Sequence, residues 1–226
     1  MRWLPKRLYH RVTWDLRGVE SVEHRKILQG ALDACDYPFH RIRYSKRTRV
    51  PVAVSDLSRF SQALDEKGHG HVHDEERGVL ETGHLLGEPG EDDARRAILG
   101  LYWLPTPKFP AGRVELDAVV MANPELAREV FLAEGAHAVD YGVMTDAQRA
   151  DVFAAYHDGG RTAHGTHGWF EERGGTDYWA DWVGESFMSG FTRAFAPSLP
   201  QPLEARQPWR HPTTDAIAAD IRRILL

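Results

Sequence analysis

The chain has 226 residues, of which 42% are hydrophobic and 27% are charged, and its formal net charge is −5. This composition is typical of a soluble globular chain with one large domain, and it excludes the disordered and collagen-like classes. The net acidity argues against a dedicated nucleic-acid binder. No run of apolar residues reaches the ~20 that a membrane span requires.

Targeting and redox signals are few. The N-terminal segment up to Leu8 is basic but lacks the apolar stretch of a secretory signal, so we expect a cytoplasmic protein with no membrane partner. Cys35 is the only cysteine, which rules out an intrachain disulfide and any multi-cysteine zinc site. Arginine supplies 23 of the 28 basic residues, a bias that indicates a high-GC genome.

The N-terminal half begins with a strand signal and a helix signal. Apolar residues at every second position predict a strand from Leu8 to Leu16. Ser21 is a suitable N-cap for a helix that Pro38 closes. Phe39 to Tyr44 then has the character of a short strand.

Further strand signals follow. Val50 to Val54 predicts a short strand, which Pro51 should confine to a sheet edge because proline has no N–H to donate. Residues 65–96 are rich in glycine, histidine and acids and predict a loop or a loose hairpin. Strands are predicted from Ile98 to Leu104 and, most clearly, from Val114 to Val120.

Helix signals dominate the C-terminal half. Asn123 and Pro124 form an N-cap followed by proline at the first helical position, which predicts a helix through Gly142. Thr145 and Gln148 fit a capping box at the start of a second helix. A third helix should follow and end before Pro197. An amphipathic helix is predicted at the end of the sequence.

The order of these signals predicts an α+β fold, with a twisted mixed sheet in the N-terminal half and a helical C-terminal half. Residues 1–197 are expected to form a single domain. Residues 198–226 are expected to form a Pro-rich arm and a C-terminal helix. This arm either reaches a neighbouring subunit or packs back on the same domain.

One predicted helix carries most of a metal-binding pattern. In zinc peptidases, His-Glu-x-x-His places two imidazoles on one helix face, where both bind one zinc ion and the glutamate acts as a general base. Here Glu134 and His137 occupy the second and fifth positions of that pattern. Ala133 occupies the first position.

A second acidic candidate lies within the third predicted helix, which is rich in aromatic residues. Glu185 is surrounded in sequence by Trp182, Phe187 and Phe191. Burying a carboxylate among such side chains is costly unless it is paired or coordinates a metal. We therefore expect Glu185 to have a partner, and His137 is the obvious candidate.

From about Arg113 to Phe195 the chain resembles the gluzincin-type zincins, and most closely the branch that includes the anthrax lethal factor-like domain. The resemblance is carried by the strand before the helix, by Glu134 with the run His137-Ala-Val-Asp-Tyr, by the capped helix that follows, and by the Glu185-x-Phe helix. It implies a zincin fold, zinc bound by two histidines and one glutamate, and peptide-bond hydrolysis. It also implies that Glu134 is the general base and that His137 and Glu185 are zinc ligands.

The family's first zinc ligand has no counterpart here, because Ala133 has no donor atom. A three-ligand catalytic site reduced to two protein ligands should lose most of its zinc affinity. We therefore expect a vestigial base at Glu134, an incomplete metal site at His137 and Glu185, and no bound cofactor. Zinc is expected only if another ligand replaces the missing imidazole.

Two other groups of histidines are candidates for metal ligation. His164 and His167 lie on a glycine-bearing segment that could reach the helix and substitute for the missing ligand; the alternative is a solvated loop. His69, His71 and His73 would share one face of a strand, as in metal-binding tracts, but their glycine-rich and acidic surroundings favour a flexible polar loop.

The candidate residues on the helix also have structural interpretations. His137 could be a buried imidazole that is hydrogen-bonded to Glu185 or Asp140. Glu134 could be a structural carboxylate near a sheet edge.

The expected function is that of a structural or protein-binding module on a catalytically degenerate zincin-like domain. Its partners would be another protein or neighbouring subunits, not nucleic acid. Zincin-like domains of this kind occur in bacteriophage genes, which suggests a virion or assembly component. Two alternatives remain open: an active zinc metallopeptidase with an altered ligand set, and a toxin or effector-type relative.

Overall fold

The computed structural model describes residues 12–37, 48–57, 69–74, 78–86, 97–142, 144–156, 187–202 and 215–226. Within these ranges the fold is mixed α/β. Six strands form one mixed sheet, and the described helices other than the first follow the last strand. The prediction of a mixed sheet in the N-terminal half and helices in the C-terminal half is therefore confirmed.

The six strands lie in the first half of the chain. They are β1 (Val12–Gly18), β2 (Thr48–Ser55), β3 (His69–Asp74), β4 (Gly78–Leu86), β5 (Ala97–Trp103) and β6 (Arg113–Asp117). β5 confirms the strand predicted over residues 98–104. The strand predicted over residues 39–44 lies outside the described residues.

The helices of the described ranges are α1 (Val22–Ala34), a 3-10 helix (Ala118–Ala122), α2 (Pro124–Gly142), α3 (Asp146–Ala154), α4 (residues 187–195) and α5 (Asp215–Leu225). Helix α1 begins where predicted, because the Ser21 side chain accepts a hydrogen bond from the His24 N–H. Helix α3 begins with the predicted capping box between Thr145 and Gln148. Helix α4 ends before Pro197, also as predicted.

The sheet has the strand order β1-β2-β6-β5-β4-β3. β1, β2 and β6 run parallel, and α1 lies in the crossover that a parallel pair requires. β5 is antiparallel to β6, and the antiparallel pair β3 and β4 extends the sheet beyond β5. Helix α2 follows β6 almost directly and contacts both β5 and β6.

Two strand predictions are wrong in their details. Pro51 does not lie on an edge strand, because β2 pairs with β1 on one side and β6 on the other. The β2–β6 pairing starts one residue later, at Val52 opposite Val114, so this ladder does not need the N–H that proline lacks. The strand expected to reach Val120 ends at Asp117, whose side chain caps the 3-10 helix by accepting from the Val119 N–H at 2.8 Å.

The segment predicted as a loop or loose hairpin, residues 65–96, contains the antiparallel strands β3 and β4. The hairpin alternative is therefore correct for the described part of this segment. The register of β3 shifts between His69 and Val72. This shift breaks the regular alternation predicted for His69, His71 and His73.

The C-terminal helix packs on the same core as the sheet. Ile217 and Ile221 of α5 are fully buried. Arg222 forms an ion pair with Asp36, with a shortest N–O distance of 2.7 Å, and the Gln148 side chain donates to the Ile224 carbonyl. Helix α5 therefore returns to its own domain, the second of the two arrangements expected for it. Residues 203–214 of the predicted arm lie outside the described residues.

Candidate functional site

Helix α2 forms where the sequence predicts it. The Asn123 side chain accepts hydrogen bonds from the backbone N–H groups of Glu125 and Leu126. In an uncapped helix these N–H groups would have no acceptor within the protein. The helix then continues unbroken from Pro124 to Gly142. Its length carries it across β5 and β6, so the residues of the metal-binding pattern lie against the sheet.

Glu134 packs against β5 at Gly100. Gly100 of β5 leaves the space for this approach, since a methyl group there would lie 2.7 Å from Val130 Cγ1 and 2.9 Å from Glu134 Cγ. The side chain of Glu134 is almost fully buried. The carboxyl group predicted to be a vestigial base therefore sits between the helix and the sheet.

His137 follows on the same side of α2, next to two tyrosines. Its ring centroid is 5.8 Å from that of Tyr102 in β5 and 6.2 Å from that of Tyr141. The two tyrosine rings stack on each other at 5.9 Å, and the Tyr102 hydroxyl donates to the Ala111 carbonyl. Burial, together with the negative charge of Asp140, raises the pKa of the Tyr102 hydroxyl above its ordinary value.

The polar contacts of His137 are incomplete within the described residues. His137 is 6% exposed, and its Nδ1 has no hydrogen-bond partner there. The proposed partner Asp140 instead pairs with Arg149, whose Nε lies 2.7 Å from its Oδ1. The alternative in which Asp140 holds the imidazole is therefore wrong for this structure.

Ala133, at the position of the missing first ligand, is 1% exposed. Its methyl group belongs to the same core cluster as Val130 and Phe131. A buried position of this kind has no room for solvent to replace a ligand. The gap in the metal-binding pattern is therefore filled by core packing.

The remaining predicted ligands, Glu185, His164 and His167, lie outside the described residues. Whether they approach His137 stays a prediction. In the ranges that the structure describes, no group of three His, Cys, Asp or Glu side chains is placed to hold a metal ion.

The close contact between α2 and β5 predicts that a larger residue at Gly100 lowers the stability of the fold. Gly100→Ala should lower the free energy of unfolding by about 1–3 kcal/mol, because the new methyl group meets the stiff, fully buried Val130 side chain. The measurement is urea unfolding followed by circular dichroism. Gly30→Ala in α1 is the matched control, since its methyl group would lie at an ordinary 3.5 Å from Arg128 Nε. Equal stability of the Gly100 variant and the parent would contradict the close packing of α2 on β5.

A buried acidic group on β6 was missed by the sequence analysis. Strand alternation places Glu115 among polar residues, yet it is fully buried. It accepts hydrogen bonds from Ser55 Oγ at 2.6 Å and from Trp103 Nε1 at 2.9 Å. Alternation cannot reveal such burial when both faces of a strand are covered. The only available signal was the indole of Trp103, a donor that requires an acceptor when buried.

Removing this carboxylate should destabilise the sheet. Glu115→Ala leaves the Trp103 indole and the Ser55 hydroxyl without their acceptor, and we expect a loss of about 1.5–3 kcal/mol in the free energy of unfolding. Guanidinium unfolding monitored by tryptophan fluorescence measures it. Glu125→Ala, at an exposed position in the first turn of α2, is the control and should change stability by less than about 1 kcal/mol. An equally small effect at both positions would mean that water satisfies the Trp103 and Ser55 donors.

Cys35 has the character expected of a packed thiol. Burial raises its pKa to about 12, so the thiolate form is scarce at neutral pH. Cys35 packs against the main core cluster at the end of α1. Cys35 therefore acts as a packing residue.

Comparisons with known proteins add no assignment. No protein family, curated protein or solved structure matches this chain. Among the described helices, none is both long and apolar enough to cross a bilayer. The functional argument therefore depends on the geometry around α2 and on the sequence resemblance.

Proposed function

We propose that this chain is a catalytically degenerate zincin-like domain that acts as a structural or protein-binding module. The observation that carries the proposal is the buried Ala133, which offers no donor atom at the first-ligand position. Beside it, Glu134 and His137 occupy their expected places on α2. A helix that keeps the base and one ligand but fills the other position with a methyl group is suited to packing rather than to zinc catalysis.

The relation of α2 to the sheet supports the zincin-like part of the proposal. Glu134 and His137 face the same strand, β5, through Gly100 and Tyr102 respectively. The resemblance requires that both residues share one face of a helix that follows a sheet strand. The mixed sheet and the helix directly after β6 agree with this requirement.

A second candidate is an active zinc metallopeptidase with an altered ligand set. It is favoured by one observation, the buried Nδ1 of His137 that lacks a hydrogen-bond partner in the described residues. A metal ion would bind such a nitrogen if Glu185 and either His164 or His167 approached it. A toxin or effector-type relative would use the same groups on a host protein.

The biological setting is also part of the proposal. We infer a role as a virion or assembly component of a bacteriophage of a high-GC host. The arginine-rich composition and the resemblance to zincin-like domains of phage genes support it. Neighbouring subunits or another virion protein would then be the partners.

Elemental analysis of the purified chain tests the choice between the two candidates. We expect well under one equivalent of zinc, with no change in the His137→Ala variant, because the site has lost a ligand. Stoichiometric zinc that is lost in both His137→Ala and Glu185→Ala would contradict the degenerate assignment. It would favour the active peptidase with a substitute ligand.

A further inference from the structure

The described surface contains a groove between β1 and α1, away from Glu134 and His137. Its volume is about 510 Å³. Its floor is apolar and half-buried, formed by Trp14 and Leu16 of β1 and Leu32 of α1. Its rim is basic and consists of Arg17, Arg25 and Arg49.

The charge of this groove is opposite to that of the whole chain. Three arginines face one acidic side chain, Asp15, whereas the chain has a formal net charge of −5. The Arg17 guanidinium lowers the pKa of Asp15 to about 2, so this carboxylate is ionised at neutral pH and neutralises one arginine. Two positive charges therefore remain in surplus in the groove.

Asp15 holds two of the arginines in place without covering them. It accepts from Arg17 Nε at 2.9 Å and lies 2.8 Å from Arg49 Nε. The side chains of Arg17 and Arg49 nevertheless remain 74% and 51% exposed. Asp15 thus orients both guanidinium groups, and the N–H groups that do not contact its carboxylate remain accessible to a ligand.

The third arginine, Arg25, is anchored by backbone carbonyl groups. Arg25 donates from Nη1 to the carbonyl groups of Val19 and Glu20, where β1 leads into α1. Backbone acceptors leave its positive charge uncompensated. All three arginines of the rim are therefore held by hydrogen bonds or ion pairs to the protein itself.

We propose that this groove binds an acidic segment of a protein partner. Carboxylates of the segment would pair with Arg17, Arg25 and Arg49, since guanidinium groups recognise carboxylates through paired hydrogen bonds. An apolar side chain of the segment would cover the floor at Trp14 and Leu32. The inference does not depend on the zincin assignment, but it specifies a partner chemistry for the protein-binding role.

The composition of the groove favours a peptide over other anions. An inorganic anion makes no use of an apolar floor, whereas peptide sites combine apolar contact with a few oriented polar groups. A nucleic-acid backbone requires an extended basic surface, and the ionised Asp15 among the lining residues of this groove opposes a row of phosphates. An acidic peptide with interspersed apolar residues matches both the rim and the floor.

Fluorescence anisotropy on the full chain tests this proposal. The probe is a dye-labelled peptide of alternating glutamate and leucine, and the comparison peptide has glutamine at each glutamate position. We expect the glutamine peptide to bind at least about tenfold more weakly, and binding of the acidic peptide to weaken as salt is raised. Equal binding of the two peptides would overturn the proposal.

A matched pair of variants tests whether the acidic peptide binds in this groove. Arg49→Ala should weaken binding of the acidic peptide by about threefold to fivefold, because it removes one exposed charge while Arg17 still pairs with Asp15. Arg223→Ala is the control, since that arginine is 72% exposed and pairs with Asp220 on α5. Leu32→Ala should also weaken binding, through the floor. The proposal is wrong if Arg49→Ala and Arg223→Ala behave alike.

Two further probes separate the peptide from other anionic ligands. Inorganic polyphosphate and vesicles containing anionic phospholipid should bind more weakly than the acidic peptide at matched charge, and should be insensitive to Leu32→Ala. Tighter binding of either probe, with loss in Arg49→Ala, would assign the groove to a general anion or a membrane surface instead. Zinc content is not expected to change in these variants, so this test can fail independently of the zincin-like assignment.

Discussion

The Ala133→His variant is expected to bind zinc at least about a hundredfold more tightly than the parent, a gain of about 2.7 kcal/mol. The new imidazole would stand one helical turn before His137, which creates a His-Glu-x-x-His face around Glu134. If Glu185 also approaches this face, as the resemblance implies, the site would have three ligands and one open position. Calorimetric zinc titration of the folded variant measures the gain.

The burial of Ala133 sets the cost of this change. Helix propensity changes by less than ~1 kcal/mol, but the larger side chain should cost about 1–3 kcal/mol in the free energy of unfolding because the site is closely packed. Zinc should restore part of this stability, since a ligand that binds only the folded state stabilises it. Peptidase activity is not expected to return if the substrate cleft is also filled.

The control for this variant is the same substitution in a chain that lacks the second imidazole. Ala133→His combined with His137→Ala should bind zinc no better than the parent. If the single variant also fails to gain affinity while remaining folded, His137 and Glu185 do not converge on one point. The resemblance to the zincins would then be limited to the local sequence of α2.

The second large effect is expected at the C-terminal helix. Ile221→Ala should lower the free energy of unfolding by about 2–5 kcal/mol, because Ile221 is fully buried and its removal leaves a cavity. Its Cδ1 packs directly over Gly190 of α4, where a side chain would collide with both Ile221 and Tyr156. Urea unfolding of the full chain measures the loss.

Ile224→Ala is the matched control, since Ile224 lies one turn later on α5 and is only half-buried. It should cost about 1 kcal/mol, in proportion to the smaller apolar area that it buries. An Ile221 variant no less stable than the Ile224 variant would mean that α5 is not docked on α4 in solution. The helix would then be available to reach a neighbouring subunit, the first of the two roles expected for it.

Local signals in the sequence were sufficient to predict where the helices around the candidate site begin. Asn123 and Pro124 predict the start of α2, and the structure begins the helix at Pro124 because the Asn123 side chain caps the first turn. Thr145 and Gln148 likewise predict the capping box of α3. These predictions succeed because a cap depends on residues only three positions apart.

Pairing between distant segments could not be predicted in the same way. Pro51 was placed on a sheet edge because proline lacks a donor, yet β6, about 60 residues later, pairs with the residues that follow it. Strand alternation groups Glu115 with the polar residues of β6, yet its carboxylate is enclosed by Ser55 and Trp103. In both cases the deciding contacts come from strands that no local pattern connects.

The chemical groups that α2 carries are read directly from the sequence: a carboxylate at Glu134, an imidazole at His137 and no donor atom at Ala133. The helical period also places the carboxylate and the imidazole on one side of the helix. Three further features follow from long-range packing: this side of α2 faces β5, Ala133 is buried in the core, and Asp140 pairs with Arg149 instead of His137. The reason is physical: residue type and helical spacing are local properties, whereas burial and charge pairing depend on which distant segments pack against the helix.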